Sequence, residues 1–261
     1  MSKRARLWSW FWFGLGVLYF LLPLYATLAF SLKARKGVLS LLAYENVLTD
    51  PRFVRTFTFS LEMALISIIV SILLIVPTAY WVHLRLPRLR PVVELVTLMP
   101  FVIPAVVLVF GLIRTYSREP FDLVSSPVLL VAGYVVLSLP YMYRAVDTGL
   151  RSMDVRSLTE AAQSLGAGWP TILFRIILPN LRTALLSGAF LTVAIVIGEF
   201  TLASLLSWPA FGPYMALLGQ DRAYEPAALA IMSFALTWVA MGLIYLLGRG
   251  RQAGSQMAGT H

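Results

Sequence analysis

Cysteine is absent from the 261 residues, which excludes disulfide frameworks, thiolate catalysis and cysteine-ligated metals. Charge is scarce as well. Asp, Glu, Lys and Arg make up 13% of the chain, where a soluble domain carries about 25%. With 59% hydrophobic residues and a mean hydropathy of +0.81, too little polar surface remains to coat a water-soluble body of this size. That argues against a soluble enzyme and against a free nucleic-acid-binding protein, despite a pI near 10.1. Acids number 12 against 21 bases, and the excess of +9 needs another explanation. The two histidines, His83 and His261, are far apart with no carboxylate cluster beside them, which gives a metal site little support. Gly14 and Gly16 form no phosphate loop, and no glycine–lysine Walker motif occurs. No catalysis, ATP, metal or other cofactor is expected on this chain itself. What is present in quantity is apolar sequence, and the chain reads as an integral membrane protein.

Lipid offers backbone groups no partners, so a span must be a helix of about 20 apolar residues. Six such segments are predicted, at about Leu7–Phe30, Phe57–Val82, Pro91–Ile113, Pro127–Tyr143, Leu181–Leu206 and Ala227–Leu247. The third contains Pro100 and Pro104, which should kink it without abolishing it, and the fourth is expected to end near Pro140. The fold class is therefore all-α and polytopic. A single transmembrane domain, 1–261, is expected, with core helices over 57–248. Segment 31–56 reads as a short outer amphipathic element broken at Asp50–Pro51, a pair that favours a turn.

Sorted by these spans, thirteen of the bases fall on the side of the N-terminus against three acids, Asp147, Asp154 and Glu160. The other side holds eight bases and six acids, among them Glu119 and Asp122. The positive-inside rule then puts both termini in the cytoplasm, although the first outer loop, with Lys33, Arg35 and Lys36, is more basic than that rule prefers. The excess charge orients the chain and says nothing about nucleic acid. Trp8, Trp10, Trp12, Trp81 and Trp238 read as interfacial anchors.

Within the spans, Glu62 and Glu94 are expected near ends where water reaches them. Glu199 lies deeper. Gly188, Thr192, Ile195, Glu199 and Ala203 share one helical face of small and polar residues, which suits either helix packing or a translocation path. Glu199, Thr192 and Gly198 are the candidate path residues. A hydrogen-bonded structural role for Glu199 stays open beside that one.

The longest inner connection, about 144–180, is the most specific part of the sequence. Ser157-Leu158-Thr159-Glu160 has the form of a capping box that starts a helix. Leu158, Ala161, Ala162 and Leu165 then recur at helical spacing, with Thr159, Glu160, Gln163 and Ser164 on the other side. Gly166 stands where a left-handed residue ends such a helix. Pro170 suits the first turn of a second helix, which is expected to close at Leu178–Pro179. A helix of this length is marginal alone and needs something to dock against. A connector lying on the membrane surface is the plainer reading of the same pattern.

The string Glu160-Ala161-Ala162, Gly166, Ile176 and Leu178-Pro179, at this spacing, resembles the EAA signature of bacterial ABC importer permeases. The resemblance extends over most of the chain. Tyr44-Glu45-Asn46 through Asp50-Pro51-Arg52-Phe53 is similar to the stretch after the first helix in that family. Pro100-Phe101-Val102-Ile103-Pro104 resembles a third-helix motif, and Gly198-Glu199-Phe200 a motif of the penultimate helix. The resemblance implies a type I ABC importer permease fold, with the loop as a coupling helix seated in a groove of a cytoplasmic ATPase subunit. Glu160, Ala161, Ala162, Gly166, Ile176, Leu178 and Pro179 would be the coupling residues. Glu160 would act as the reciprocal cap, as a contact to a basic group across the interface, or as both. The implied partners are two ATP-binding subunits carrying ATP and Mg, a second permease subunit in a heterodimer, an extracytoplasmic solute-binding protein and membrane lipid, with no nucleic acid. Gly198 through Leu206, with Phe211-Gly212-Pro213, resembles the spermidine/putrescine branch, which implies a polyamine cargo that Glu199 would suit. Ferric iron, thiamine, sulfate or molybdate are the alternatives within the family. A secondary transporter is the competing class, but it would leave the loop without a purpose, and no internal repeat is evident. A membrane enzyme would need convergent catalytic groups that do not appear.

Overall fold

The structure is a computed structural model that describes residues 3–118 and 123–249, with side chains within 8–239. Glu119, Asp122, Arg251 and His261 lie outside the described residues. The described chain is helical apart from turns and one isolated β-bridge between Arg35 and Val38.

The helices run α1 (Lys3–Ser31), α2 (Leu42–Thr49), α3 (Pro51–Leu84), α4 (Arg90–Val102), α5 (Ala105–Tyr116) and α6 (Pro127–Arg151). They continue as α7 (Val155–Ser164), α8 (Trp169–Thr171), a π-helical stretch Ile172–Ile177, α9 (Leu178–Asn180) and α10 (Arg182–Gly198). The last are α11 (Thr201–Leu205), α12 (Phe211–Asp221) and α13 (Glu225–Arg249). Three segments are individually long and apolar enough to cross a membrane: Trp8–Ser31, Pro51–Leu84 and Pro127–Arg151. Two more are bent pairs, Pro87–Val102 with Ala105–Tyr116 at 101° and Trp169–Asn180 with Arg182–Gly198 at 75°. The sixth apolar segment is α13, described as apolar over Glu225–Val239.

Three of the expected boundaries change. The third segment is broken rather than kinked. Pro100 is carried inside α4, but Pro104 forces Ile103 into the extended region (φ −90°, ψ 114°) because its ring excludes the α conformation from the preceding residue. The fourth helix does not stop near Pro140; it runs on to Arg151, with the Ser126 hydroxyl capping its start by accepting a hydrogen bond from the Val128 amide. The fifth ends at Gly198, not Leu206, since Glu199 is extended (ψ 124°) and α11 begins separately.

The chain forms two compact units, Met1–Val54 with Tyr214–Val239 and Arg55–Pro213 with Ala240–His261. In the first unit, none of the apolar window of α1 is buried, as suits a helix bathed in lipid. Ser31 and Tyr44 share a hydroxyl hydrogen bond of 2.7 Å, and the Asn46 amide donates to Glu225 over 3.0 Å. Asp50 accepts from the Arg52 amide at 2.9 Å and from Tyr214 at 3.2 Å, which fixes the expected turn at Asp50–Pro51. Hydrogen bonds from Arg52 hold the Asp50 carboxyl below the usual carboxylate range.

The second unit has two apolar cores. One gathers Ile75, Ala79, Tyr80, Met142, Val146, Leu150 and the buried residues of the 155–181 stretch. The other gathers Met63, Val109, Leu130, Tyr134, Val196, Leu202 and Ala210. Helices α6 and α10 pack closely through Gly188: a Cβ there would meet the Met142 sulfur at 2.6 Å. Small residues at such a contact let two backbones approach, which is how helices associate where water gives no hydrophobic drive.

Candidate functional site

The 154–181 loop is built from its two caps inward. Asp154, not Ser157, is the N-cap of α7. Its carboxylate accepts from the Ser157 amide at 3.1 Å and from the Ser157 hydroxyl at 2.6 Å. Those bonds hold the Asp154 carboxyl below its usual range. Glu160 is therefore not a reciprocal cap. It pairs with Arg156 one turn back, at 2.8 Å, on the exposed side. Gly166 takes φ +78°, as its position required. The Gly166 amide donates to Gln163 (2.9 Å) and the Ala167 amide to Ala162 (3.0 Å), the two bonds of a Schellman stop.

Between the caps, the faces of α7 differ from the expected division. Val155, Thr159 and Ala162 are buried, whereas Leu158, Ala161 and Leu165 are exposed, Leu165 at 88%. Thr159 is buried because its hydroxyl is satisfied twice. It donates to the Val155 carbonyl at 2.7 Å and accepts from Tyr80 of α3 at 3.0 Å. The apolar stripe of Leu158, Ala161 and Leu165 is thus turned away from the chain's own core.

Downstream, Pro170 sits in the first turn of α8 after the extended Gly168, as its fixed φ favours. The helix closes at Asn180, one residue past the expected Leu178–Pro179, at the 75° bend into α10. It passes through the π-helical stretch, whose wider turns accommodate the amide that Pro179 lacks and its ring against the preceding turn. Ile176 and Leu178 pack against the first core, and Pro179 is half-buried. Trp81 stacks on Trp169, with ring centroids 6.1 Å apart, so it is a packing residue of this loop as well as an aromatic near a span end.

Sequence reasoning missed an ionic cluster beside the loop. Asp147 of α6 accepts from His83 Nε2 at 2.7 Å, from Arg90 at 3.0 Å and from Arg151 at 2.7 Å. Arg151 also reaches Glu94 at 3.0 Å, and Arg90 Nε lies 3.3 Å from Glu94. Glu94 and His83, expected to be unremarkable, are therefore bound into a network joining α3, α4 and α6. No group of three His, Asp or Glu side chains fit to hold a metal occurs among the described residues.

The candidate path residues fall elsewhere. Thr192 is fully buried and donates to the Gly188 carbonyl at 2.8 Å. Glu199 is buried as well, and its carboxylate accepts the Leu202 amide at 2.9 and 3.0 Å and the Ala203 amide at 3.3 Å. It caps α11. Gly198 is exposed at the end of α10. Gly188 and Thr192 thus lie on a packing face of α10, and the expected stripe does not continue to Glu199 and Ala203, which are buried beyond the helix end. A different face of α10 borders a cavity of about 680 Å³ between α4, α6 and α10, where Thr183, Ser187 and Leu191 meet Leu98, Tyr141 and Arg144. The signal for it was the spacing of Thr183, Ser187 and Leu191, four residues apart.

Residues 75–252 match the sequence profile of the family described as binding-protein-dependent transport system inner membrane component. The chain is similar to the spermidine/putrescine transport system permease protein PotB of Haemophilus influenzae, at 26% identity over 77% of this chain and 76% of that one. It is also similar to the molybdate/tungstate transport system permease protein WtpB of Pyrococcus furiosus, at 28% identity over 84% of this chain and 88% of that one. Among solved structures, a bacterial ABC transporter involved in import of the acidic polysaccharide alginate shares the fold. Its TM-score is 0.68 at 15% identity, covering 94% of this chain and 99% of that one.

Proposed function

The chain belongs to the family of binding-protein-dependent transport system inner membrane components, and from that membership we propose that it is the permease subunit of an ABC importer. It forms half of a translocation pathway and couples to a cytoplasmic ATPase subunit through the 154–181 loop. The observation that carries this reading is the outward apolar face of α7. Leu158, Ala161 and Leu165 are exposed on a helix whose other face is pinned by Tyr80 and whose ends are both capped. A rigid, partly apolar projection of this kind fits a groove in a partner. A surface connector would have no use for such firm anchoring.

Both termini are cytoplasmic in this reading, by the distribution of Lys and Arg. Two ATPase subunits supply ATP and Mg, a second permease completes the path as a heterodimer, and a solute-binding protein delivers cargo. The chain itself is not catalytic and binds no cofactor. The cargoes named for its relatives divide between polyamines and molybdate or tungstate. A polyamine reading rests on likeness of sequence, since the Glu199 carboxylate that would suit such a cargo is engaged as a helix cap.

Gly166→Pro and Glu160→Arg test the role. Proline cannot adopt the φ of Gly166, and arginine at 160 repels Arg156. Both variants are expected to insert, and both to uncouple ATP hydrolysis from uptake in the reconstituted transporter. Uptake at the parent rate by both would remove the coupling role.

A further inference from the structure

The turn that leaves α1 gathers three bases that the transport reading does not use. Helix α1 crosses as Trp8–Ser31, a span of 24 residues with none of its apolar window buried in the protein. That is about 36 Å of helix against a hydrocarbon core of about 30 Å, so the residues after Ser31 stand at the level of the lipid headgroups. There the chain doubles back. Gly37 takes φ +78°, Arg35 and Val38 pair across the tip, and the Ser40 amide donates to the Leu32 carbonyl at 2.9 Å. Lys33, Arg35 and Lys36 are exposed on this turn, and among the described residues none of them has an ion pair. With Tyr224 they border a hollow of about 360 Å³ that no Asp or Glu lines. Glu225, next to Tyr224 in the chain, is held by Asn46 and Arg222. Tyr224 packs on Phe30, with ring centroids 4.9 Å apart, so the hollow joins the end of α1 to the start of α13. Beside it Val38, Leu39 and Leu41 are 64%, 70% and 61% exposed.

We propose that this turn is a docking site for an anionic phospholipid of the leaflet at the far end of α1. The headgroup phosphate sits among Lys33, Arg35 and Lys36, and Val38, Leu39 and Leu41 lie against the acyl chains. The proposal goes beyond the permease reading and needs only that α1 spans the membrane. Bases close to a bilayer surface draw anionic lipid toward them, and an interfacial element binds by its buried apolar area and that attraction together. Here both are carried on nine residues, from Lys33 to Leu41, whose depth the lipid-bathed α1 sets. The fork of Arg35 matches two phosphate oxygens, and the lysines add point charges that follow a mobile headgroup. An acidic protein arriving from water would match the three bases as well. Lipid, however, already surrounds α1 at this depth and reaches the turn without any further partner. Such a site also gives a use to the basic loop that the positive-inside rule disfavours, and it ties α1 and the start of α13 to one headgroup.

Because the chain has no cysteine, Leu41→Cys gives it a single position for a bimane label. The labelled full-length chain is placed in phosphatidylcholine vesicles that contain rising fractions of acyl-brominated phosphatidylglycerol or, separately, acyl-brominated phosphatidylcholine. Half-maximal quenching is expected at about a tenfold lower mole fraction of the phosphatidylglycerol, the effect of three partly screened bases. Lys33→Gln, Arg35→Gln and Lys36→Gln together should bring the two curves into coincidence, and so should about 0.5 M salt. Val38→Ser with Leu39→Ser should weaken quenching by both lipids and leave their ratio unchanged. Glycerol 1-phosphate in the buffer should leave the preference as it was; if it abolishes the preference, the ligand is a soluble anion and the proposal falls. Equal quenching of the parent by both lipids would overturn it as well. If neither lipid quenches the label, and the assembled transporter with the three glutamines loses its solute-binding protein, the turn is a protein-docking surface instead. No arm measures uptake, so each of these results leaves the permease reading where it stands.

Discussion

The hydroxyls of Tyr80 and Thr159 stand 3.0 Å apart, both side chains buried, in residues 79 positions apart in the chain. Thr159 spends its proton on Val155, so Tyr80 is the donor. A membrane-embedded helix, α3, thereby holds the short helix α7 by its middle. In the proposed coupling role, this bond is the route by which movement of α7 would reach α3.

Tyr80→Phe removes that tie while leaving Thr159 its bond to Val155. The cost is about 1 kcal/mol, a typical net hydrogen bond. Thr159→Val is the harsher change, since it strands the buried Tyr80 hydroxyl at about 1–3 kcal/mol. ATP hydrolysed per substrate transported is expected to rise a few-fold for both, and more for Thr159→Val. Equal ratios for parent and both variants would show that the bond carries no motion.

Asp147 is the hub of the ionic cluster, with three cationic or basic partners within 3.0 Å. Asp147→Asn leaves Arg90, Arg151 and His83 facing one another with only Glu94 to answer them. Asp147 is buried but Arg151 and Glu94 are half-exposed, so water screens part of the loss, which is about 1–3 kcal/mol. A clear fall in the thermal midpoint of the detergent-solubilised protein is expected. Glu94→Gln, at the half-exposed edge of the same cluster, should cause a much smaller one. The order of the two midpoints is the check.

Glu199→Leu deletes the acceptor for the Leu202 and Ala203 amides, and Glu199→Gln keeps one. If the residue is a cap, the Gln variant transports at close to the parent rate and the Leu variant is destabilised by roughly 1–3 kcal/mol. A cargo-binding role would instead stop transport in both. Gly212→Ala probes the same region from outside, because a Cβ there would strike the Glu199 carbonyl and come within 3.2 Å of Phe200 Cα. Overpacking of that kind typically costs about 1–3 kcal/mol, read as a lower thermal midpoint.

Asp154 gives α7 a pH dependence of known sign. Its carboxyl titrates below the usual value in the folded chain, through its bonds to Ser157. A depressed folded value means that the stabilisation is complete above the unfolded value of about 3.9. It is lost as pH falls below that toward the folded value. Hydrogen exchange of the α7 amides, corrected for intrinsic rates, should be level from pH 5 to 8 and faster below about pH 4. Asp154→Ala should abolish that step and exchange faster throughout.

Much of this fold can be read from local sequence, because local chemistry decides it. The apolar runs announce the spans, and Gly166 announces its stop, since few other residues tolerate φ +78°. What escaped reading depends on partners far along the chain. Ser157 and Glu160 have capping-box spacing, yet Asp154 three residues earlier competes for the same amide and wins, leaving Glu160 to Arg156. His83 and Asp147 are 64 residues apart, and Arg90 and Asp147 57, so no window along the sequence brings them together. Glu199 was placed on a helical face that the chain does not form, since the backbone turns extended at that residue. Leu158, Ala161, Ala162 and Leu165 read as one apolar side of α7, but Ala162 turns inward with Val155 and Thr159 while the other three are exposed, because periodicity alone does not say which side meets the chain's own core.

The break at Ile103–Pro104 bears on how the chain is made. Helices α4 and α5 hold 13 and 12 residues, each about 18–20 Å long, against a hydrocarbon core of about 30 Å. Neither crosses alone, and the turn between them leaves amide groups that lipid cannot satisfy. Both pack against α6, which is synthesised after them. The broken pair therefore relies on α6 for its packing, and a chain ending before Pro127 lacks the helix on which both halves rest.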